Sequence, residues 1–430
     1  MKSLLKKFIT SILIQEAIWL LKKYNPKIIV VTGSVGKTST KDAIYAVLVK
    51  SVKVRKSEKS FNSDIGIPLT ILGCQNAWSD PLAWLQNIWR GFQPLIKKVS
   101  YPDWLVLEVG ADRPGDIEKI SRWLKPDVTV LTKFAKTPVH IEFFKNRQEV
   151  IKEKGFMVES LKREGVLVLN SDDEDAFSFK QKTNSKVLAY GLLPEAEIKA
   201  SYIEDYYDQG KLRGLQFKVD NGGNCVPVII RDVVGNQAVY SALGAITVGL
   251  ALNLNLIQIA EGLSDYVSPR GRMKLISGIK NSTIIDDTYN SSPVALQSAL
   301  ETLAKVKTTG RHFAVLGDML ELGKHSVTEH KEAGVLAAKS CDYLITVGIR
   351  SRNLAESALD NGLSENNVLQ FDSALEAGKY LQNMIQENDV ILVKGSQSMR
   401  MEKVVLEIMA VPQMASELLV RQEEEWRKKS

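Results

Sequence analysis

Residues 28–48, IIVVTGSVGKTSTKDAIYAVL, constrain what this chain can fold into more than any other stretch. A run of β-branched residues leads into two glycines, a Lys-Thr pair, and a segment with Ala43, Ile44, Val47 and Leu48 at helical spacing. A strand that turns through G-x-x-G-K-T into a helix presents successive backbone N–H groups and the positive helix terminus to an anion. Gly33, Ser34, Val35, Gly36, Lys37, Thr38 and Ser39 are therefore candidate phosphate-binding residues. Lys37 can reach β- and γ-phosphate oxygens, and the Thr38 hydroxyl can meet magnesium. The general P-loop has a glycine five residues before the glycine of its Gly-Lys pair; Val31 stands there, so this loop is a shortened form. The alternative, a strand-to-helix turn with no ligand, leaves the Lys-Thr unexplained.

Around this loop, apolar runs of strand length alternate with helical patterns. KIIVVT, WLVLEV and DVTVLT each lead into a helical stretch, which predicts a parallel sheet covered on both faces. Between about 195 and 232 the texture changes to short alternating segments joined by NGGN, read as an antiparallel hairpin inserted into the first domain. VSPRGRMKLI reads as a linker, because Pro269 and Gly271 break helical structure. Beyond it STIIDDTYN, HFAVLGDM, DYLITVG and DVILVKGS are four buried-strand candidates alternating with helices. The expected fold is α/β: a P-loop central ATPase domain with a mostly parallel sheet and a small antiparallel insertion, plus a C-terminal Rossmann-like α/β domain. The boundaries expected are an N-terminal amphipathic helix over 1–26, the central domain over 27–267 with an extra helical insertion at about 74–102, the second domain over 268–412, and a charged helical tail over 413–430.

A length of 430 residues suits several domains, and 44% hydrophobic with 25% charged residues excludes a disordered or collagen-like chain. Cys74, Cys225 and Cys341 lie far apart, so neither a zinc cage nor a disulfide framework is indicated, and a reducing compartment is the default. The net charge of +6 reads as too small and too evenly spread to indicate nucleic acid, and no nucleic-acid partner is expected. In MKSLLKKFITSILIQEAIWLLKKYNP the apolar run is interrupted by Thr10, Ser11, Gln15 and Glu16. It has no small-residue cleavage site and is not apolar enough to span a bilayer, so it reads as one helix ended by Asn25-Pro26.

The shortened loop resembles that of the Mur ligases, the ATP-dependent amide-bond enzymes of peptidoglycan assembly, and the resemblance extends over roughly residues 28–410. SFNSDIGIPLTIL is similar to the segment that follows their loop, which implies Asn62, with Ser63 beside it, as substrate-binding residues. LEVGADRPGDI resembles the strand end whose glutamate holds magnesium, implying Glu108. LTKFAKTPVHIEFF implies His140 as a second metal ligand. VIKEKGFM resembles the stretch whose lysine is carbamylated, implying Lys154. Lys37, Glu108, His140 and Lys154 are then the implied catalytic set. Thr38, Glu108, His140 and carbamylated Lys154 are the ligands of two magnesium ions bridging ATP and substrate. In the second domain SPRGRMKLI implies Arg272 at the nucleotide phosphates, and IIDDTYNSSPVALQSAL implies Asp287 near the ribose with Tyr289 and Asn290 beside it. VKGSQSMRMEKVV implies Lys394, Ser396 and Gln397 as substrate-facing, with Gln397 where arginine is usual. Motifs of the D-alanyl-D-alanine-adding branch predominate.

What the resemblance implies is an ADP-forming ligase that makes an acyl phosphate on a small-molecule carboxylate acceptor and joins it to an amine. D-alanyl-D-alanine joining a muramyl tripeptide is the expected pair. A Mur-type ligase for another amino acid, or for another, lipid-linked acceptor, is the first alternative. A P-loop nucleotide-binding scaffold at the membrane that has lost ligation is the second. The chain departs from the branch before the loop, where a domain holding the uridine diphosphate end of the substrate is usual and only the short helix is read here. Leu85, Ile88, Trp89, Phe92, Leu95, Ile96 and Val99 recur at helical spacing in the insertion, which Gly91 and Pro94 are expected to bend or split. Trp19, Trp78, Trp84 and Trp89 cluster with lysines in these two segments. They suit either a membrane surface or packing on the core. The expected location is the cytoplasm, with the inner face of the membrane as the peripheral variant.

Overall fold

The computed structural model describes residues 2–58, 61–77, 80–135, 141–423 and 426. Trp78 and His140 lie outside the described residues. Two sheets form the frame. The first holds β1 (Lys27–Thr32), β2 (Val54–Lys56), β3 (Trp104–Glu108), β4 (Val128–Leu131), β5 (Val166–Asn170), β6 (Lys186–Gly191), β7 (Ile198–Asp208), β8 (Lys211–Asn221) and β9 (Asn224–Arg231). Their order is β2-β3-β1-β4-β5-β6-β7-β8-β9. Pairing is parallel from β2 to β7 and antiparallel from β7 to β9. The expected inserted hairpin is thus a three-stranded meander that continues the sheet. Its first strand escaped the reading because IKASYIEDYYD carries acids and tyrosines on both faces of a half-exposed strand, where alternation is weak.

The second sheet, β10 (Lys274–Ser277), β11 (Thr283–Asp287), β12 (His312–Gly317), β13 (Tyr343–Val347), β14 (Val368–Phe371) and β15 (Val390–Lys394), runs in the order β10-β11-β15-β12-β13-β14. β10 is antiparallel to β11, so part of the expected linker is an edge strand. The backbone explains it: Val234 N–H donates to Met273 O at 3.2 Å and Leu275 N–H to Asp232 O at 3.0 Å. These bonds stitch the end of the first sheet to the start of the second, which satisfies groups that a free linker would leave to water.

Helices cover both faces of the first sheet. α2 (Lys37–Leu48) packs its buried Ala43, Ile44, Val47 and Leu48 on one face together with the helix Asn236–Ala251. On the other face lie α1 (Lys2–Tyr24), whose Leu13, Ala17 and Leu20 are fully buried, and the all-buried α3 (Gly66–Leu72). α4 (Pro81–Ile96) lies against α1. α4 is continuous, so Gly91 and Pro94 do not split it as one form of the expectation had it. Pro94 falls in its last turn, where it forgoes a single backbone bond. Gly91 is a place of close approach, since a Cβ there would come within 2.5 Å of a Glu16 carboxylate oxygen.

Among its described residues, the tail over 415–423 departs from the expected charged helix. Ala415–Leu418 is one helical turn, after which Leu419 is extended and the chain folds back. Arg421 is buried there, its guanidinium donating to Thr288 O at 3.0 Å, to Tyr289 O and to Glu402 Oε2 at 2.9 Å. These bonds satisfy its two terminal nitrogens, while its Nε is buried without a partner, and a buried guanidinium held this way overrides the helical pattern.

Candidate active site

The strands β1, β3 and β4 of the first sheet and β11, β12 and β15 of the second end at one cleft between the lobes. Ligands of open α/β sheets bind at such carboxyl ends. After β1, Gly33 (φ 143°) and Gly36 (φ 85°) hold the loop in conformations that L side chains rarely adopt. A Cβ on Gly36 would also lie 2.3 Å from the Gln237 amide nitrogen. Ser34 and Val35 N–H donate to Lys133 O at 2.8 and 3.2 Å, which clamps the loop against the end of β4. Gly36 is the N-cap of α2 and provides no side-chain acceptor, so the first-turn N–H groups of this 12-residue helix remain open to a phosphate. Lys37 curls over its own loop, its Nζ donating to Gly33 O at 3.0 Å and Ser34 O at 3.5 Å.

The cleft has two lobes of space. One, of about 500 Å³, is lined by Lys37, Thr38, Asn62, Glu108, Arg272, Tyr289, Asn290, Ser396 and Gln397 together with Asp112, Glu321 and Trp426. The other, of about 310 Å³, is lined by Val35, Ser39, Asp287 and Lys394 with Gln237, Tyr240 and Tyr266. Ser34, Gly36, Arg272 and Asn290 line both, so the phosphate loop joins them. Gly33 and the exposed Ser63 line neither space.

Glu108, at the end of β3, is 1% exposed. Its Oε1 accepts from Asn62 Nδ2 at 3.3 Å, and its Oε2 is buried with no hydrogen-bond partner. A buried carboxylate oxygen without a donor is costly unless a cation meets it. Lys154 sits on the helix Arg147–Glu159, and its neighbour Glu153 fixes that helix. The Glu153 carboxylate accepts from the N–H groups of Gly115, Ile117 and Glu118 at 2.9, 2.6 and 3.2 Å. Burial, and then the charge of Lys37, pushes the Lys154 ammonium down to about 7. Burial also lowers Lys37, with Glu108 opposing. Among the described residues no three His, Cys, Asp or Glu side chains form a metal-binding group. The residues nonetheless fit magnesium: the orphaned Glu108 oxygen and the Thr38 hydroxyl are hard donors lining the cleft beside a phosphate cradle, while Lys154, close enough to feel the Lys37 charge, lines neither space.

In the second lobe the pairing is more structural than expected. Asp287 and Lys394 are register partners on β11 and β15 and form a buried ion pair of 2.5 Å. Lys394 Nζ also donates to Asn290 O at 2.9 Å, and Asp287 Oδ1 accepts from Met273 N–H at 3.2 Å. Ser396 Oγ accepts from Leu320 N–H at 2.8 Å, which leaves the exposed Gln397 at the rim. Arg272 stacks over the Tyr289 ring at 4.0 Å. Sequence reasoning missed Arg421 and Trp426, which reach the site through the folded-back tail; no local pattern marks either.

The Mur ligase middle-domain model matches residues 31–84 and 90–249, and the Mur ligase glutamate ligase domain model matches 271–397. The UDP-N-acetylmuramoyl-tripeptide–D-alanyl-D-alanine ligase of Bacillus subtilis is 28% identical over 396 residues, covering 91% of this chain and 78% of that protein. The Escherichia coli enzyme of the same name is 26% identical, with 90% and 78% covered. Among solved structures, the MurF ligase of Thermotoga maritima in complex with ADP superposes with a TM-score of 0.76 at 23% identity, covering 93% of this chain and 83% of that one. Both lobes, the phosphate loop between them and the matched models lead to one assignment: this chain belongs to the Mur ligase family.

Proposed function

We propose that this protein is an ATP-dependent, ADP-forming ligase that activates the terminal carboxylate of a muramyl tripeptide and joins it to D-alanyl-D-alanine. The observation that carries the reading is the convergence of Lys37, Thr38, Asn62 and Glu108 from one lobe with Arg272, Tyr289 and Asn290 from the other on a single cleft. The names of the Bacillus subtilis and Escherichia coli relatives support the substrate pair.

In this reading the loop N–H groups and Lys37 hold the ATP phosphates. An acceptor carboxylate oxygen attacks the γ-phosphorus in line, the bond to the β-phosphate oxygen breaks, and ADP leaves. The amine then adds to the acyl carbon, phosphate departs, and the nitrogen loses a proton, giving an amide. Glu108, Thr38, carbamylated Lys154 and His140 are the residues that would hold magnesium, which when bound supplies charge neutralisation at the transferring oxygens. Arg272 adds positive charge from the second lobe, and lobe closure keeps water from the acyl phosphate.

The test is phosphate release with ATP, D-alanyl-D-alanine and the nucleotide-linked tripeptide. Release should require all three, and Lys154→Ala should abolish it with partial recovery on adding short-chain carboxylic acids. Release without the dipeptide, or full activity of Lys154→Ala without additives, overturns the reading. A second reading, the same chemistry on a lipid-linked acceptor, is favoured by the exposed apolar face of α4; a panel of both acceptors separates the two.

A further inference from the structure

Helix α4 is apolar on two sides. Trp84, Ile88 and Leu95 pack inward on the core beside the buried Asn87 and Gly91, while Leu82, Leu85, Trp89 and Ile96 are 70, 63, 59 and 63% exposed and Phe92 is 38% exposed. These five recur at three- and four-residue steps, so they form one stripe that faces away from the protein. The orientation is pinned from within. Asn87 Nδ2 donates to Gln75 O at 2.7 Å, Lys23 Nζ donates to Pro94 O and Leu95 O at 2.9 Å each, and Tyr24 OH donates to Pro94 O at 2.8 Å. Rolling α4 to bury its leucines would break these bonds and drive Asn87 into solvent. On the adjacent α1, Phe8 and Trp19 are 64 and 45% exposed.

The charge follows the same segments. Residues 1–26 and 80–98 contain eight basic residues and two acidic ones, a net of +6. That is the whole net charge of the chain: the remaining 48 basic residues are balanced by 48 acidic ones. The charge is therefore concentrated here and not evenly spread. α1 and residues 85–89 of α4 also lie outside the matched family models.

We infer that α1 and α4 form a platform that seats this protein on an anionic lipid bilayer. α4 lies in the interfacial plane, with Leu85, Trp89 and Ile96 among the upper acyl chains and the exposed Arg90, Lys97 and Lys98 at the headgroups. No helix among the described residues is long and apolar enough to cross a membrane, so this is attachment in the plane of the surface. A second copy of the chain fits less well, because a two-fold contact through this face would bring two concentrations of six positive charges together. The inference stands apart from the proposed ligation, since none of these residues lines the cleft.

The full chain is sedimented with vesicles of phosphatidylcholine containing roughly a third phosphatidylglycerol, and with phosphatidylcholine alone. Binding is expected to the anionic vesicles, with a blue shift of tryptophan emission. Leu85→Glu/Trp89→Glu and Arg90→Gln/Lys97→Gln/Lys98→Gln should each weaken it at least about tenfold, and added salt should do so for the wild type. Both variants should keep wild-type circular dichroism and ATP affinity. Phosphate release with soluble substrates in lipid-free buffer stays unchanged in them, so failure here is separable from failure of the ligase reading. Absence of vesicle binding, equal binding to both compositions, or a lipid-free dimer that Trp89→Glu dissociates overturns the inference.

Discussion

Helices α2 and α4 both belong to the first lobe and both carry an apolar stripe, yet α2 lies on the sheet with its stripe covered, whereas α4 lies on α1 and carries a second stripe that faces outward. α2 buries Ile44 and Val47 in the core and leaves its N-terminal N–H groups open in the cleft. α4 packs Trp84, Ile88 and Leu95 inward beside Asn87 and Gly91, and presents a second stripe of Leu82, Leu85, Trp89, Phe92 and Ile96 outward. The difference teaches that a helical stripe specifies a face that must leave water, without specifying what covers it. For α2 the cover is the sheet, whose β-branched strands are placed before the helix begins. For α4, the polar anchors Asn87, Lys23 and Tyr24 decide, and they keep the stripe for another surface.

Four substitutions would break or sharpen this contrast. The largest effect is expected at the open end of α2. Lys37→Ala should lower kcat about a thousandfold, measured by phosphate release, because the charge facing the transferring phosphoryl group is lost. Its melting temperature should hold or rise, since a buried ammonium disappears with it. A loss below tenfold would show that the loop does not serve the chemistry.

On the buried face of the same helix, Ile44→Ala should cost about 2–5 kcal/mol in urea unfolding, the range for a fully buried aliphatic side chain. Next comes the α1–α4 seam. Glu16 is 3% exposed, one carboxylate oxygen has no hydrogen-bond partner, and burial raises its carboxyl to about 7. A carboxyl that is higher in the folded than in the unfolded state contributes stability below pH 4.5 that is lost as pH rises through about 7. Glu16→Gln should therefore stabilise the protein at pH 8 by up to about 3 kcal/mol and by almost nothing near pH 4.5. An equal gain at both pH values would place the cause in packing. The smallest effect belongs to the outward stripe: Leu85→Ala should change unfolding free energy by no more than about 0.5 kcal/mol. A cost like that of Ile44→Ala would mean that the stripe is covered within the folded chain.

The phosphate loop was legible because its chemistry is local: Gly33 to Thr38 must be contiguous to cradle a phosphate. Glu108 was reached only through the resemblance of LEVGADRPGDI to the Mur ligase strand end. Asp287 and Lys394 were implied as site residues by the resemblance, but their mutual ion pair was not legible, since 107 positions separate them and only the parallel pairing of β11 and β15 makes them neighbours. Arg421 was hidden for the same reason. Its partners Thr288, Tyr289 and Glu402 come together only when the tail folds back, while the string around it reads as a charged helix. The edge strand β10 was masked by Pro269 and Gly271, which break helices yet do not prevent the pairing that starts at Lys274.

By itself the sequence determined two α/β lobes and a shortened phosphate loop, and its resemblance to the Mur ligases implied the residues of a carboxylate-activating ligase. The lobes and the loop follow from periodicity and from contacts within a few positions, which depend little on how distant segments meet. Tertiary structure alone decided which carboxylate oxygen lies orphaned in the cleft, which lysine is pushed down toward neutrality, and which way α4 faces. Those depend on burial, and burial at a point is a property of every segment packed around it.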